Sequence, residues 1–134
     1  MSMARSVTRR GFAARVGGAG LLLVTLAGCG RDKKTAQPVQ PGSTVLALGD
    51  SLTFGTGAST ETSYPTVLAG LTGWNVVNAG VPGDTSAQAL ARLPALLAEH
   101  QPKLVIVSIG GNDFLRKLPE SDTHAHVHAI CKQS

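Results

Sequence analysis

Thr44-Val45-Leu46-Ala47-Leu48-Gly49-Asp50-Ser51-Leu52 (TVLALGDSL) is the stretch that decides the fold. A run with no polar alternation, Val45 to Leu48, fits a strand covered on both faces, as in parallel sheets. It ends at a glycine, and an acid and a serine follow at once. Asn75-Val76-Val77-Asn78-Ala79 and Leu104-Val105-Ile106-Val107-Ser108-Ile109 repeat the theme downstream.

Helical signals lie between these runs. Residues 64–71 follow Ser63, and Pro65 suits a first helical turn, where a missing N–H costs nothing. Thr85-Ser86-Ala87-Gln88 has the capping-box form and opens a helix with Leu90, Leu93 and Leu97 on one stripe. Pro94 is expected to kink that helix or split it in two. A last helix begins near Ser121. Strand, helix, strand, helix, strand implies right-handed crossovers and a three-layer, doubly wound, flavodoxin-like α/β sheet. Three glycine-rich loops each follow a strand: Gly49-Asp50-Ser51, Gly80-Val81-Pro82-Gly83 and Gly110-Gly111-Asn112-Asp113. Open α/β sheets bind ligands at that carboxyl edge, so the loops are expected to converge on one site.

Taken singly, each residue has a plain structural use. Ser51 fits a helix N-cap, Gly83 a turn, and Asn112-Asp113 a cap for the next segment. Taken together, Gly49-Asp50-Ser51-Leu52, Asn78-Ala79-Gly80 with Gly83-Asp84-Thr85, and Gly110-Gly111-Asn112-Asp113 resemble three of the four sequence blocks of the SGNH (GDSL-type) hydrolases. The run from Asn78 to Asp113 looks particularly like the bacterial periplasmic lysophospholipase, thioesterase and arylesterase branch. The resemblance covers Thr44 to about Ile130.

That resemblance implies a serine ester hydrolase with no metal and no organic cofactor, acting through an acyl-serine intermediate. Ser51 would be the nucleophile. Its own N–H, the N–H of Gly83 and the side-chain amide of Asn112 would form the oxyanion hole. The chemistry agrees, because a serine hydroxyl needs a base to take its proton and donors aimed at the developing oxyanion. Glycine at 83 permits close backbone approach, and asparagine at 112 offers a neutral donor. Asp50, Gly80 and Asp113 are expected to support the loops. Substrates would be small acyl, aryl or lysophospholipid esters, or thioesters.

The fourth block of the family, Asp-x-x-His, supplies the general base and the carboxylate that orients it. No Asp-x-x-His occurs in this sequence. The chain is therefore expected to be the first part of such a domain, holding its first three strands only. Little or no esterase activity is expected from it alone, since loss of a triad member commonly costs about 10⁴-fold. His124, His126 and His128 lie where the family resemblance implies Arg, Asn and Arg, and read as a solvated helix face. His100 reads as a helix C-terminal residue favoured by the dipole.

The first residues carry an address. Thr8-Arg9-Arg10-Gly11-Phe12 precedes the apolar run Leu21-Leu22-Leu23-Val24-Thr25-Leu26, too short to span a bilayer. Leu26-Ala27-Gly28-Cys29 resembles a bacterial lipobox, so residues 1–28 read as a lipoprotein signal with twin-arginine character. Cys29 would carry the lipid and anchor the protein on the extracytoplasmic face of a membrane. Residues 29–42 would form a flexible tether reaching about 40 Å, and residues 43–134 the hydrolase domain. With Cys29 acylated, Cys131 has no disulfide partner and is expected to be a small buried apolar residue.

Composition narrows the classes further. The formal charge of +4 arises from four arginines in a stretch of 28 residues without acids. Beyond it, eight basic face eight acidic side chains. With five aromatic residues, this excludes a nucleic-acid surface built on charge and stacking. No protein partner is implied. Two other classes stand beside the hydrolase: a lipid-anchored module binding a small ligand at its glycine-rich loops, and a non-functional remnant. The first has no phosphate-cradling pattern, and Asp50, Asp84 and Asp113 would repel an anion.

Overall fold

The computed structural model describes residues 37–134. The lipobox, Cys29 and most of the expected tether lie outside the described residues. Strand β1 (Thr44–Gly49) is followed by the short helix α1 (Ser51–Phe54), α2 (Tyr64–Thr72), β2 (Asn75–Gly80) and α3 (Ser86–His100). Strand β3 (Leu104–Ser108), α4 (Gly111–Leu115) and α5 (Glu120–Gln133) complete the order.

The three strands form one parallel sheet in the order β2-β1-β3. The doubly wound α/β reading holds. The order in which strands are added reverses at β1, so β2 lies on one side and β3 on the other. Crossovers of the usual right hand then send α2 and α3 to opposite faces. Val45, Leu46, Ala47 and Leu48 are fully buried, which is why the run opening the domain has no polar member. Burying a side chain of Val or Leu size contributes about 1.5–3 kcal/mol. Leu46, Leu48, Ala79, Ala89, Leu93 and Ile130 make the core. Leu90 and Leu97 pack against it, so the predicted stripe of α3 faces inward.

The capping region of α3 also matches: Gln88 Oε1 accepts from Thr85 N at 2.9 Å and Thr85 Oγ1 at 3.1 Å. Pro94 does not split the helix, which runs unbroken from Ser86 to His100. Pro94 lies on the exposed face, next to buried Leu93, so its ring and missing donor stay out of the core. His100 closes the last turn as read from the sequence.

Cys131 corrects the sequence reading: it is exposed. Ile130 is the buried residue of α5, and the next position is rotated about 100° around the helix, away from the core. The histidine cluster also divides. His124 and His128 are exposed, whereas His126 is half-buried and meets Ser86.

Residues ahead of β1 are fastened at several points. Gly42 N donates to Gly73 O at 2.7 Å, and the Trp74 indole Nε1 donates to Val39 O at 3.1 Å. Among the described residues, no helix is long and apolar enough to cross a membrane.

Candidate active site

The reversal of strand order at β1 opens a crevice at its carboxyl end, the usual ligand position of such sheets. Ser51 is the first residue there and the first residue of α1. Asp50 caps that helix, its carboxylate Oδ1 accepting from Leu52 N at 3.0 Å. The helix can seat only because two strand ends carry no side chain. A Cβ on Gly49 would collide with Thr53, and one on Gly80 with the backbone of Thr53 and Phe54. Asn78 adds a polar link, donating from Nδ2 to Phe54 O at 3.3 Å while Oδ1 accepts from Gly80 N at 3.0 Å.

Gly83 has φ +84°, a conformation L side chains rarely adopt, in the loop after β2. Asn112 lies in the first turn of α4, after β3. Its Nδ2 donates to Asp84 O at 2.8 Å, which joins the β3 loop to the β2 loop, and among the described residues the second amide hydrogen meets no acceptor. Arg116 Nη2 donates to Gly83 O at 2.7 Å and makes a second link. Among the described residues, neither Ser51 N–H nor Gly83 N–H donates to a protein acceptor. Two free backbone donors and one amide hydrogen therefore sit on loops that are stitched together.

Asp113 works behind this edge. Its buried carboxylate accepts from Ser86 N at 2.8 Å, Ser86 Oγ at 2.6 Å and Thr123 Oγ1 at 3.3 Å. Burial opposes ionisation, but the hydrogen bonds from Ser86 and Thr123 outweigh it and hold the carboxyl below its ordinary range. Since Ser86 Oγ spends its one hydrogen on Asp113, its 3.1 Å contact with His126 Nδ1 requires that nitrogen to be the donor. Asp113, Ser86 and His126 thus bind α4, α3 and α5 to one another.

Sequence reasoning passed over Arg92. Its Nε donates to Asp84 Oδ2 at 2.8 Å and its Nη2 to Gly49 O at 2.9 Å. The available signal was a cation three residues after Ala89 and four before Leu96, hence on their side of α3, beside the apolar stripe.

The Ser51 hydroxyl has no side-chain partner among the described residues, and none of their histidines reaches it. A cavity of about 430 Å³ opens beside α1, lined by Phe54, Ser59, Thr60, Ser63, Asn78 and Gly80 among others. Ser51, Gly83 and Asn112 are not part of its lining. Among the described residues, no group of His, Cys, Asp and Glu is arranged to hold a metal ion.

This chain belongs to the GDSL-like Lipase/Acylhydrolase family, whose model it matches over residues 47–134. It is 46% identical over 91 residues to the thioesterase 1/protease 1/lysophospholipase L1 of Escherichia coli K12, covering 65% of this chain and 43% of that protein. It is 38% identical over 96 residues to the esterase TesA of Pseudomonas aeruginosa, covering 68% and 48%. Among solved structures it resembles AlinE4, an SGNH-hydrolase family esterase, with TM-score 0.64 and 34% identity over 72% of this chain and 55% of that one. The chain thus spans a little under half the length of the curated relatives it matches.

Proposed function

We propose that this chain carries the nucleophile and oxyanion donors of a serine ester hydrolase for small acyl, aryl or lysophospholipid esters or thioesters. The observation that carries the reading is the stitching of three loops: Asn112 to Asp84 O, Arg116 to Gly83 O, and Arg92 to both Asp84 and Gly49. Ser51 attacks the ester carbonyl carbon, and the oxyanion is received by Ser51 N–H, Gly83 N–H and the free amide hydrogen of Asn112. The bond to the leaving oxygen then breaks, giving acyl-Ser51. Asp50, Gly80 and Asp113 support the loops. No cofactor enters this scheme.

Among the described residues no base reaches Ser51, so its proton passes to solvent and both acylation and deacylation are slow. An activated ester relieves acylation more than deacylation, because its leaving group needs no proton. The chain should therefore turn over poorly and trap its acyl form. Incubation with p-nitrophenyl acetate, followed by mass spectrometry, should find one acetyl group on Ser51 and none in Ser51→Ala. Equal modification of both proteins would sink the reading.

The same proposal extends to the address. Residues 1–28 act as a lipoprotein signal, Cys29 carries the lipid, and the residues up to 42 link it to the domain at 43–134, outside the cytoplasm. What supports it is the order of charge, apolar core and Leu26-Ala27-Gly28-Cys29. In a bacterial host, Cys29→Ser should move the protein out of the membrane fraction. Retention there would refute lipidation.

A further inference from the structure

Two loops must hold a fixed distance for a serine and an oxyanion donor to meet one carbonyl group. The loop after β1 carries Ser51, and the loop after β2 carries Gly83. Neither is long, yet they leave different strands and enter different helices, so something must set their spacing. Sheet pairing ends at Gly49–Gly80, just short of both groups. Beyond that point the cross-links are Val81 N to Gly49 O at 3.0 Å, Asn78 Nδ2 to Phe54 O at 3.3 Å and the guanidinium of Arg92, of which only the last reaches Asp84 beside Gly83.

Arg92 is built for this task. It projects from α3, a helix anchored elsewhere by buried Ser86, Ala89 and Leu93. Its Nε donates to the carboxylate of Asp84, the residue next to Gly83. Its Nη2 donates to the carbonyl of Gly49, two residues before the nucleophile. The side chains of Arg92 and Asp84 are 24% and 9% exposed, so the pair lies largely out of solvent rather than on a wet surface. A guanidinium is planar with donors in fixed directions, so holding both partners at once fixes their separation. Lysine carries the same charge on a flexible stem and cannot hold two acceptors in one plane. Asp84 also passes the restraint onward, since its carbonyl oxygen receives Asn112 Nδ2.

We propose that Arg92 is a positioning residue that sets the gap between the Ser51 loop and the Gly83–Asn112 side of the oxyanion hole. It touches no substrate. The inference rests on the hydrolase reading above and adds to it the residue on which the site's geometry depends. Misplacement of a reacting group by about 1 Å can cost on the order of 10²-fold in rate.

Single-turnover acetylation of Ser51 by p-nitrophenyl acetate tests it in the chain as it stands. Arg92→Met should acetylate about 10–100-fold more slowly at saturating ester. The ester concentration giving half the maximal rate should stay unchanged, because Arg92 does not meet the ester. Arg92→Lys keeps the charge and should fold like the parent by circular dichroism, yet acetylate at an intermediate rate. A purely structural role would instead lower the denaturation midpoint and leave the rate of the folded Lys variant at the parent value. That outcome overturns the proposal, and it does so even if Arg92→Met fails to fold. Parent and Ser51→Ala modified alike would sink the hydrolase reading and this role with it. Ser51-specific acetylation with both Arg92 variants at parental rate removes the Arg92 role alone.

Discussion

Replacing Asp113 by asparagine keeps the shape of the side chain and removes its charge at the point where three helices meet. The carboxylate accepts both hydrogen-bonding groups of Ser86, N–H at 2.8 Å and Oγ at 2.6 Å, and Thr123 Oγ1 at 3.3 Å. Asparagine has one acceptor oxygen; with it facing Ser86 N, its amide nitrogen meets the hydroxyls of Ser86 and Thr123, which must turn from donating to accepting. Exchanging charge-assisted bonds for neutral ones there costs about 1–2 kcal/mol. Loss of a negative charge at the first residue of α3 adds about 0.3–1 kcal/mol, and weaker bonding at the remaining oxygen adds a similar amount. The expected loss at pH 7 is therefore about 2–4 kcal/mol, against about 5–15 kcal/mol for a domain of this kind. Urea denaturation followed by circular dichroism measures it. The sign with pH follows from a folded-state pKa held below the unfolded one. The stabilisation is complete above the ordinary aspartate range near about 4 and disappears as pH falls through the lower folded value. The gap between parent and Asp113→Asn should therefore narrow on acidification below that range. A gap under about 0.5 kcal/mol at neutral pH, or one that stays constant into acid, would refute the argument.

Three further outcomes are expected. Gly80→Ala should destabilise by about 1–3 kcal/mol or more, since its Cβ meets the backbone of Thr53 and Phe54 rather than a side chain that can move; denaturant midpoints measure this. Pro94→Ala should stabilise by about 1–3 kcal/mol, because the position is exposed and lies inside a continuous helix where proline forfeits a backbone bond; a lower midpoint than the parent would contradict it. Cys131 should react with a maleimide in the native protein at a rate close to that in urea, as its place on the outer face of α5 implies; strong native protection would contradict it.

The sheet was readable because burial leaves a direct trace in composition. Val45 to Leu48 have no polar member, and all four are fully buried in the central strand. The start of α3 was equally plain, since Thr85 and Gln88 interact through local backbone geometry that three residues of spacing determine. Cys131 was misread, and Pro94 leaves α3 unsplit, for a related reason. Residue type sets a preference for burial or breakage, but the face of the helix decides, and that face is set by α3 and α5 packing together. His126 left a solvated stripe because Ser86, forty residues earlier, offered it a partner. Arg92 could be seen as odd between Ala89 and Leu96 but not assigned, because its two acceptors belong to loops distant in sequence.

The pairing register carries a consequence for how the chain acquires its shape. Thr44 finds Asn75 across about thirty residues, whereas Val45 must find Leu104 across about sixty. Doubling a loop adds only about 0.6 kcal/mol of closure entropy, so the second pairing is nearly as affordable as the first. Neither can be rewarded locally, however, and contacts this far apart slow the search. The central strand must wait for both neighbours. Until the later one arrives, one edge of the central strand stays unpaired, and such an edge can pair with another molecule of the same kind.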